Sequence, residues 1–568
     1  MNESLKPLYV SAETSIQEVF EVMNAAPRKG AQAGLVLVVD EEGCLLGIAT
    51  DGDIRKGMLR GASLNTPVRE IMNTAPITVP DSLSHSDIVR CIEDELRRRG
   101  KEPQKGFNIR HVLLYHTDPR KITEILNFYD IWRASEVKTR TVCVVGLGYV
   151  GLTLAVSLAD AGLRVIGCDI RENVVSQINR GEAPFHEPGL DKVIARTLQN
   201  RLIVQTEMSK NSDVYVLCVG TPVTEREAPN LADITKAAEA VARVLKRGDL
   251  VIVRSTVPVG TSRQVVLPIL EKISGLSAGS FLFACMPERT LEGKALAELR
   301  HLPQLVAGYN QQSAETASNL FRQLTPFIVN LDSLEEAEMA KLLNNVYRDA
   351  TFALVNEFAL TCNAWGISAT KVISRANEGY PRGSMPQPSP GVGGYCLRKD
   401  PYLFIDSAKR AGYDPQIIPV ARKINETMPI YVARKVSEFC EKHNLSKQAL
   451  KVFLLGFAYK GQPETGDTRF STTLDILAHL KSQGIANIFG WDAVVTPSEI
   501  SGYGVTPASV EDGFNGAHVV LVLNNHQSHK KLDVHRLGET TQKPAMLFDG
   551  WGITENAGKI SHLEFMPL

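Results

Sequence analysis

Three glycines and an aspartate have the spacing of a dinucleotide-binding turn. Gly146, Gly148 and Gly151 follow the apolar run TVCVV, and Asp169 ends the next apolar run, 18 residues after the last glycine. The first glycine permits a tight turn, the second lets backbone approach a pyrophosphate, and the third lets the next helix pack on the strand. A carboxylate at that strand end accepts hydrogen bonds from a ribose 2′-OH. This predicts NAD rather than NADP, a preference that Arg171 weakens slightly.

One of the nine cysteines has a setting unlike the others. In the segment SPGVGGYCLRKDP, Cys396 follows three glycines, which let backbone approach a ligand, and precedes Lys399 and Asp400. A thiol beside cations and backbone N–H groups has a lowered pKa and can act as a nucleophile. Most of the other cysteines lie in apolar runs and are predicted to be small packing residues in a reducing compartment.

Two pairs of polar residues are spaced four apart. Lys341 and Asn345 lie on a helical pattern over residues 335–366, so both side chains project from one face and could stabilise an oxyanion. Glu288 and Glu292 could serve general acid–base chemistry. Each pair taken alone is more typical of a solvated surface, so its function depends on its neighbours in the fold.

The elements that carry these residues alternate between strand and helix. From residue 140 onward, apolar runs of strand length alternate with helical patterns, which predicts an α/β protein with parallel, doubly wound sheets. We predict a dinucleotide-binding Rossmann domain at 140–330, a helical middle domain with the cysteine loop at 331–445, and a second Rossmann-like domain at 449–568. Residues 1–136 are predicted to form a separate α/β unit.

That N-terminal unit resembles a pair of CBS domains. The segment GIATDGDIRKGML contains the family's GxxTxxD turn, in which Thr50 and Asp53 would hold the phosphate and ribose of an adenine nucleotide at a helix N-terminus. A threonine and an aspartate in this position also simply cap a helix, and a dimerisation unit without ligand is the alternative. In ITEILNFYDIW we predict a degenerate second copy, with Asn127 in place of the threonine and Asp130 retained.

Composition narrows the class of protein. The 568 residues suggest about four domains. Because 62 Lys plus Arg oppose 63 Asp plus Glu, for a net charge of -1, no basic field is present to attract nucleic acid or a membrane surface. The run Thr141–Ala159 is almost long enough to span a membrane, but its glycines indicate a strand and a turn. No zinc-type Cys/His spacing and no signal-peptide pattern occur, so we predict a cytoplasmic protein without a metal.

From about residue 140 to 568 the chain resembles the UDP-glucose/GDP-mannose dehydrogenase family. The family's sequence blocks occur in order: VVGLGYVG, NRGEAPFHEPGL, CVGTPV, STVPVGT, PERTLEG, KLLNN, PGVGGYCLRKDP, GFAYKGQPETGDTRFS and HVVLVLNNH. The resemblance implies an oxidoreductase that oxidises a nucleotide sugar at C6 twice, from alcohol to carboxylate, with two NAD+ and one thiol. It also implies a homodimer, or a larger homo-oligomer, built on the long central helix, and a place in polysaccharide biosynthesis.

The resemblance also implies roles for individual residues. Cys396 would capture the aldehyde and then hold the thioester, while Glu288 with a water would act as general base. The implied catalytic residues are Cys396, Lys341, Asn345, Asp400, Glu288 and Thr256. The implied cofactor residues are Gly146, Gly148, Tyr149, Val150, Gly151, Asp169, Thr221, Pro222 and Arg469. The implied substrate residues are Glu288, Arg289, Lys341, Gly393, Lys460 and, from a neighbouring subunit, Arg382.

Departures from the family pattern bear on the substrate. Tyr395 stands before the cysteine where many relatives have His or Ser, and PETG lengthens the segment before DTR. The blocks PER and KDPYLF resemble the N-acetylhexosamine branch, so a UDP-N-acetylhexosamine is favoured over UDP-glucose, with GDP-mannose third. A two-electron hydroxyacid dehydrogenase and a non-enzymatic nucleotide sensor remain as alternatives from other classes.

Overall fold

The computed structural model describes residues 3–26, 34–83, 88, 91–92, 94–95, 98, 111–127, 140–198, 200–554 and 560–568. It divides into two compact units, Met1–Lys138 and Thr139–Leu568. The described part of the first unit holds two three-stranded sheets, and that of the second holds one eight-stranded and one six-stranded sheet.

The N-terminal unit contains two small sheets of the same design. The first sheet has β1 (Tyr9–Val10), β2 (Leu35–Val39) and β3 (Leu45–Thr50), with α1 (Ile16–Ala25) before β2 and α2 (Asp51–Leu59) after β3. The second sheet has β4 (Thr78–Pro80), β5 (His111–Tyr115) and β6 (Ile122–Asn127). In both, the first strand pairs in parallel with the second and the second pairs antiparallel with the third. The second sheet therefore repeats the first, and Asn127 ends β6 as Thr50 ends β3.

The two sheets of this unit share a core. One apolar cluster combines Leu35, Leu37 and Ile48 of the first sheet with Leu113 and Ile122 of the second. The two copies therefore stabilise each other by burying apolar surface between them. Short 3₁₀ helices cover Glu3–Leu8 and Val68–Glu70. Asp130, predicted to be retained in the second copy, lies outside the described residues.

The second unit begins with an eight-stranded sheet ordered β14-β13-β12-β11-β10-β7-β8-β9. Its strands are β7 (Thr141–Val145), β8 (Arg164–Cys168), β9 (Leu202–Gln205), β10 (Val214–Leu217), β11 (Leu250–Val253), β12 (Leu282–Cys285), β13 (Gln304–Gly308) and β14 (Ile328–Asn330). Only the β12–β13 pair is antiparallel among these described strands. From β9 to β12 the order is the 3-2-1-4-5-6 of a dinucleotide-binding sheet, in which the strand order reverses between β7 and β10.

Helices of this part of the chain connect its strands. They are α3 (Tyr149–Asp160), α4 (Glu172–Asn179), α5 (Leu190–Leu198), α6 (Ala232–Ala242), α7 (Leu267–Ser274), α8 (Ala295–His301) and α9 (Gln311–Phe321), with a π-helical turn at Ser262–Val266 before α7. The apolar run Thr141–Ala159 is split between β7 and α3, as its glycines predict. Among the described residues, no helix has the length and apolar character to cross a membrane.

Long helices follow the first sheet. They are α10 (Leu334–Ala364), α11 (Ala369–Asn377), α12 (Tyr395–Arg410) and α13 (Ile417–Lys442). The predicted helix over 335–366 is confirmed, and Gly366, with φ +69°, follows its end. Pro401 inside α12 cannot donate to the carbonyl of Leu397, and the buried Arg422 of α13 donates to that carbonyl instead, at 3.2 Å. This contact joins α13 to the first turn of α12.

A second doubly wound sheet completes the chain. Its strands are β15 (Val452–Leu455), β16 (Ile488–Trp491), β17 (Thr506–Pro507), β18 (Val519–Val522), β19 (Ala545–Asp549) and β20 (Leu563–Pro567), all parallel, in the order β17-β16-β15-β18-β19-β20. Its helices are α14 (Thr472–Ser482), α15 (Pro497–Gly502), α16 (Val510–Phe514) and α17 (Val534–Gly538). The predicted fold class, two Rossmann-like sheets flanking a helical middle, is confirmed, whereas the exact domain limits stay predictions.

Candidate active site

The predicted glycine turn joins β7 to α3. Gly146 has φ +92°, and a Cβ on Gly151 would lie 1.8 Å from the Gly146 carbonyl oxygen. A Cβ on Gly148 would meet nothing within 4 Å, so this backbone is open to a ligand. The first turn of α3 supplies the backbone N–H groups of Tyr149 and Val150, which have no partner within the helix. Open backbone and a helix N-terminus suit the pyrophosphate of a dinucleotide.

Asp169 follows β8 and is fixed to the glycine turn. Its Oδ2 accepts the N–H of Leu147 at 2.8 Å, and Arg171 donates to both carboxylate oxygens. Burial opposes the charge, but the hydrogen bonds from Arg171 and Leu147 outweigh it, so the pKa of Asp169 lies below its usual value. An ionised carboxylate at this place suits the ribose of NAD.

A third part of the crevice lies at the ends of β10 and β11. The Thr221 hydroxyl donates to the carbonyl of Thr256, and Pro222 follows it. Lys399 of α12 reaches this loop, with its Nζ 3.4 Å from Thr221 Oγ1. The cofactor crevice and the cysteine helix are therefore joined by a direct contact.

Cys396 is the second residue of α12, at an N-terminus that no side chain caps. Its side chain is exposed, yet protein atoms surround it closely enough to desolvate a thiolate, so it lies in an open recess. Burial and the charge of Asp400 raise the pKa of the thiol, and the cations of Lys341 and Lys399 oppose them incompletely. The prediction that this setting lowers the pKa of the Cys396 thiol is therefore wrong.

Asp400 organises the residues around the thiol. Asn345 Nδ2 donates to one oxygen of Asp400 at 2.5 Å, and Lys399 Nζ donates to the other at 2.6 Å. Lys341 and Asn345 are both buried on one face of α10, as their spacing predicts. An ammonium and an amide beside the thiol could stabilise negative charge on an oxygen of a bound substrate.

Protein fills the space where side chains would stand on the glycines before Cys396, and ligand binding by their backbone stays a prediction. A Cβ on Gly393 would lie 2.9 Å from the Phe470 carbonyl oxygen, and one on Gly394 would lie 2.7 Å from the Tyr459 ring. Gly394, with φ +88°, also donates its N–H to the Phe470 carbonyl at 3.3 Å. The missing side chains therefore let the loop after β15 pack against the start of α12.

The two glutamates predicted for acid–base chemistry differ sharply. Glu288 is buried, pairs with the buried Arg254, and accepts the N–H groups of Arg289 and Thr290 at 2.6 and 2.7 Å. Burial opposes its charge, but Arg254 and these N–H groups outweigh burial and lower the pKa of Glu288. Because both oxygens are engaged, Glu288 is poorly suited to accept a proton.

Glu292 has the properties of a base. Burial, with the charge of Asp467, raises the pKa of Glu292 to about 7, and Arg469 and Lys460 oppose the rise. Its Oε2 is buried without a hydrogen-bond partner among the described residues, and Arg469 Nη2 lies 3.5 Å from its Oε1. A carboxylate with a pKa near 7 is matched to proton transfer at neutral pH.

The loop after β15 brings further predicted residues to the site. Lys460 Nζ donates to the carbonyl of Glu292 at 2.7 Å, and burial lowers the pKa of Lys460 to about 8. Arg469 is held by Asp467 at 2.7 Å and lies over the Tyr395 ring, 5.4 Å from its centroid. Both residues thus reach from the second sheet toward Cys396, as the resemblance implies.

The side chains of three residues predicted to bind cofactor or substrate contact other protein groups instead of lining the crevice. The Tyr149 hydroxyl donates to Glu187 and accepts the N–H of Gly293 at 3.0 Å, so its side chain supports the loop of Glu292. Arg289 donates to the carbonyl of Pro303. Arg382 is exposed and stacks on Tyr380, 5.7 Å from its centroid. No contact among the described residues brings Arg382 to the cysteine within one chain.

In the N-terminal unit, Thr50 and Asp53 form a capping box at the start of α2. The Thr50 hydroxyl donates to Asp53 at 2.7 Å, and the N–H of Asp53 lies 3.3 Å from Thr50 Oγ1. These contacts are the capping alternative that the sequence left open. Nucleotide binding at this turn stays a prediction.

Sequence reasoning missed several residues of the site. Lys399 was predicted only as a neighbouring cation, and its position three residues after Cys396, one helical turn away, was the available indication. Nothing in the sequence indicated Arg254, which follows β11 and pairs with Glu288 within the first sheet's part of the chain, or Tyr459, which the loop after β15 brings against Gly394. Within the described residues, no group of three or more His, Cys, Asp and Glu side chains could hold a metal ion.

Comparisons with known proteins match these parts in order. Three models of the UDP-glucose/GDP-mannose dehydrogenase family match the chain: the NAD binding domain matches residues 140–325, the central domain 335–427 and the UDP binding domain 453–556. A CBS domain model matches residues 1–60. A UDP-N-acetyl-D-mannosamine dehydrogenase of Pyrococcus horikoshii is 34% identical over 72% of this chain and 95% of its own length. An NDP-N-acetyl-D-galactosaminuronic acid dehydrogenase of Ralstonia solanacearum is 32% identical over 71% of this chain and 95% of its own length.

Solved structures agree with the sequence relatives. The structure of a UDP-D-ManNAc dehydrogenase from Pyrococcus horikoshii has a TM-score of 0.68 and 32% identity, over 75% of this chain and 98% of that one. A UDP-glucose dehydrogenase from Pyrobaculum islandicum has a TM-score of 0.66 and 25% identity, over 75% of this chain and 97% of that one.

Proposed function

The chain belongs to the UDP-glucose/GDP-mannose dehydrogenase family and oxidises a nucleotide sugar to the uronic acid with NAD, and we propose that Cys396 carries the reaction as a covalent intermediate. The observation that carries this proposal is an accessible thiol at the first turn of α12, with Lys341, Lys399 and Glu292 close enough to act on its charge. NAD+, when bound, accepts one hydride from the sugar C6 in each of the two oxidations.

The thiol accounts for two oxidations at one carbon. After the C6 alcohol has lost a hydride and a proton, Cys396 Sγ adds to the aldehyde carbon and the thiol proton passes to the aldehyde oxygen. Loss of a second hydride and of that hydroxyl proton leaves a thioester. Water then adds to the acyl carbon and the S–C bond breaks, which releases the carboxylate and restores the thiol. From the addition of the thiol to the hydrolysis, the carbon stays bonded to Cys396, so the reactive aldehyde is not released.

Charges around the thiol stabilise oxygen during these steps. We place the C6 oxygen beside Lys341 and Asn345 of α10, and Asp400 fixes Asn345 and Lys399 through its two oxygens. Such preorganised donors act where negative charge develops on the tetrahedral adduct. Glu292 accepts the proton of the attacking water, while Glu288 stays ionised against Arg254. The base predicted from the sequence was Glu288, and the contacts of the two carboxylates favour Glu292.

The test is a count of NADH formed by the Cys396→Ser variant. The wild-type protein should form two NADH per nucleotide sugar consumed, and the variant should lose net acid production because serine cannot form a thioester. Cys362→Ser, a half-buried cysteine of α10, is the matched control and should keep the stoichiometry of two. One NADH per sugar in the wild-type protein, or wild-type turnover in Cys396→Ser, would contradict the mechanism.

The substrate we propose is a UDP-N-acetylhexosamine, with the N-acetylmannosamine epimer first. A UDP binding domain is present, and the relatives at 34% and 32% identity act on N-acetylhexosamine nucleotides by their names. The blocks PER and KDPYLF support the same branch. NADH production should be fastest with one UDP-N-acetylhexosamine in a panel that also contains UDP-glucose and GDP-mannose, and a preference for either of those would reject this assignment.

A homodimer through α10 is the assembly we propose. Leu343, Tyr347, Leu354 and Phe358 are exposed at spacings of four and seven, which places them on one side of the helix, and the exposed Trp365 directly follows its last residue. Trp365 is 81% exposed. Such an apolar stripe suits a second copy of the same helix. Tyr347→Lys should convert a dimer into a monomer in light scattering, and an unchanged mass would reject this face.

An adenine nucleotide at the N-terminal unit is the regulatory ligand we propose. Calorimetry of the full chain with AMP and ATP should give heat that Thr50→Val abolishes. Ser15→Ala is the matched control, because Ser15 and Glu18 form the same capping box at α1 without any predicted ligand. Heat that survives Thr50→Val, or no heat in the wild-type protein, would leave the unit as a dimerisation module.

A further inference from the structure

The carboxylate that would hold the cofactor ribose is saturated by the protein itself. Asp169 Oδ2 accepts from Leu147 N at 2.8 Å and from Arg171 Nη2 at 3.0 Å. Its Oδ1 accepts from Arg171 N at 3.0 Å and from Arg171 Nε at 2.9 Å. A carboxylate has about four lone-pair sites, so a ribose hydroxyl can bind only where one of these donors leaves.

Arg171 is the partner that can leave. Leu147 belongs to the turn between β7 and α3, and the N–H of Arg171 is part of the backbone, so neither can withdraw without moving the fold. The Arg171 guanidinium, in contrast, is at the surface, with 55% of its side chain exposed against 5% for Asp169. Its departure would expose two acceptor positions for ribose hydroxyls.

The surroundings place the adenosine end of a dinucleotide here. Ile170, between the two paired residues, is 90% exposed, an aliphatic surface that suits the face of a base. The glycine turn that suits the pyrophosphate is joined to Asp169 through Leu147. A group on the 2′ position of the adenosine ribose would therefore lie beside the Arg171 guanidinium.

We propose that Arg171 is a movable counter-ion of Asp169 that gives this dehydrogenase a site for the 2′-phosphate of NADP+. When NAD+ binds, the guanidinium moves away and the carboxylate accepts the ribose hydroxyls. When NADP+ binds, the guanidinium stays on Asp169, because it has five N–H donors and Asp169 uses only two of them. Its remaining donors then bind the phosphate while its charge offsets that of the carboxylate.

The neighbouring charges agree with this assignment. The hydrogen bond to Asp169 raises the pKa of Arg171, and the charge of Arg469 opposes the rise, so Arg469 lies close enough to act on the charge of Arg171. Glu172, exposed at the first position of α4, is the acidic group that follows Arg171 in the chain. Arg469 is itself paired with Asp467 at 2.7 Å, so Arg171 is the cation that a 2′-phosphate would meet first.

Calorimetric titration of the full-length protein with NAD+ and NADP+ tests the proposal. The wild-type protein should bind NADP+ no more than about 100-fold more weakly than NAD+. Arg171→Ala should weaken NADP+ binding at least about tenfold, the loss of one charge-assisted hydrogen bond. Its dissociation constant for NAD+ should fall or change less than about threefold, because the ribose no longer competes with a guanidinium.

A second variant and a control complete the design. Asp169→Asn should tighten NADP+ and weaken NAD+, since it removes the charge that repels the phosphate. Arg180→Ala should change neither constant, because Arg180, 60% exposed and paired with Glu182 at 3.1 Å, is a similar surface ion pair. Equal weakening of both cofactors by Arg171→Ala, or no NADP+ binding by the wild-type protein, would overturn the proposal. The readout is binding alone, so it does not depend on the sugar or on Cys396.

Discussion

The two doubly wound sheets of the second unit have the same design and different uses. Both have the strand order 3-2-1-4-5-6, from β9 to β12 in the first and from β17 to β20 in the second. In both, a glycine with positive φ follows the first strand, Gly146 at +92° and Gly456 at +100°. In both, an aspartate follows the second strand, Asp169 or Asp492, and accepts an N–H from the residue after that glycine.

The two sheets differ in the segment after the glycine. In the first sheet α3 begins three residues after Gly146, and the backbone at Gly148 is open. In the second sheet α14 begins only at Thr472, and the long loop before it carries Lys460 and Arg469 to the cysteine site. One turn is therefore short enough to bind a ligand, and the other extends away from its own sheet.

The two aspartates differ in the same way. Asp492 is 9% exposed and accepts the N–H groups of Phe457, Ala458, Val494 and Val495, with Asn524 Nδ2 at 3.2 Å. These donors belong to the fixed protein, whereas the main partner of Asp169 is an exposed side chain. A shared topology thus provides a strand-end carboxylate, and the partners of that carboxylate decide whether it binds a ligand or supports a loop.

The largest effect on the reaction rate is expected at Glu292, where the loop after β15 meets the first sheet's part of the chain. Glu292→Gln should slow acid release by about 10²- to 10⁴-fold, the usual contribution of a general base. In the wild-type protein, the rate of that step should fall as pH drops through about 7, because the carboxylate must be ionised to accept a proton. Pre-steady-state measurement of NADH and acid across pH checks both.

Glu288→Gln is the control for that prediction. It should act mainly on stability, because it leaves the buried Arg254 without its anion, at a cost of about 3–5 kcal/mol in the free energy of unfolding. An inflection near pH 7 that survives Glu292→Gln would assign the proton transfer to another group.

The next largest effects are expected from substitutions in the two glycine-containing loops, one acting on NAD+ binding and the other on turnover. Gly148→Val should weaken NAD+ binding about 100-fold without lowering the melting temperature, since the new side chain enters open space that the cofactor needs. Gly461→Ala should leave NAD+ binding unchanged and lower turnover, because its Cβ would lie 2.1 Å from the His526 nitrogen and displace the loop of Lys460. Calorimetry and steady-state rates distinguish the two.

A helical glycine beside the second sheet, without close neighbours, is the control. Gly502→Ala in α15 meets nothing within 4 Å and should change neither property. Loss of NAD+ binding in Gly461→Ala would show that the loop after β15 also holds the cofactor, and the two turns would then no longer have separate functions.

The smallest effect is expected at the second aspartate. Asp492→Asn should lower the free energy of unfolding by about 1–3 kcal/mol, because some buried N–H groups then face an amide that accepts less strongly. NAD+ affinity should stay unchanged, in contrast to Asp169→Asn. Denaturant unfolding measures the free energy of unfolding of both variants, and calorimetry measures their NAD+ affinity. An effect of Asp492→Asn on NAD+ binding would contradict the difference proposed between the two aspartates.

Much of the fold could be read from local patterns. Strand-length apolar runs alternating with helices predicted both sheets, and the helix bearing Lys341 was placed because its residues repeat at helical spacing. The roles of the three glycines in the first turn follow from spacing alone, since backbone conformation and close packing are local requirements. The repeated N-terminal sheets were likewise predicted from a degenerate second copy.

The electrostatics of the site could not be read in that way. The thiol pKa was predicted to fall, and it rises, because burial and Asp400 outweigh two lysines that the sequence shows as mere neighbours. Residue type and spacing treat Glu288 and Glu292 alike, and the resemblance favoured Glu288. In the structure Glu288 pairs with a buried arginine that directly follows β11, whereas Glu292 contacts a loop from the second sheet. Such differences depend on distances between segments far apart in the chain.

The sequence by itself therefore determined the elements, the cofactor turn and the identity of the proposed nucleophile, because each depends on residue types within one short segment. Tertiary structure decided which carboxylate can act as a base, what the glycines before Cys396 accommodate, and why Asp169 and Asp492 have different partners. The physical reason is that desolvation, ion pairing and close packing depend on all the atoms within a few ångströms, and only folding brings those atoms together.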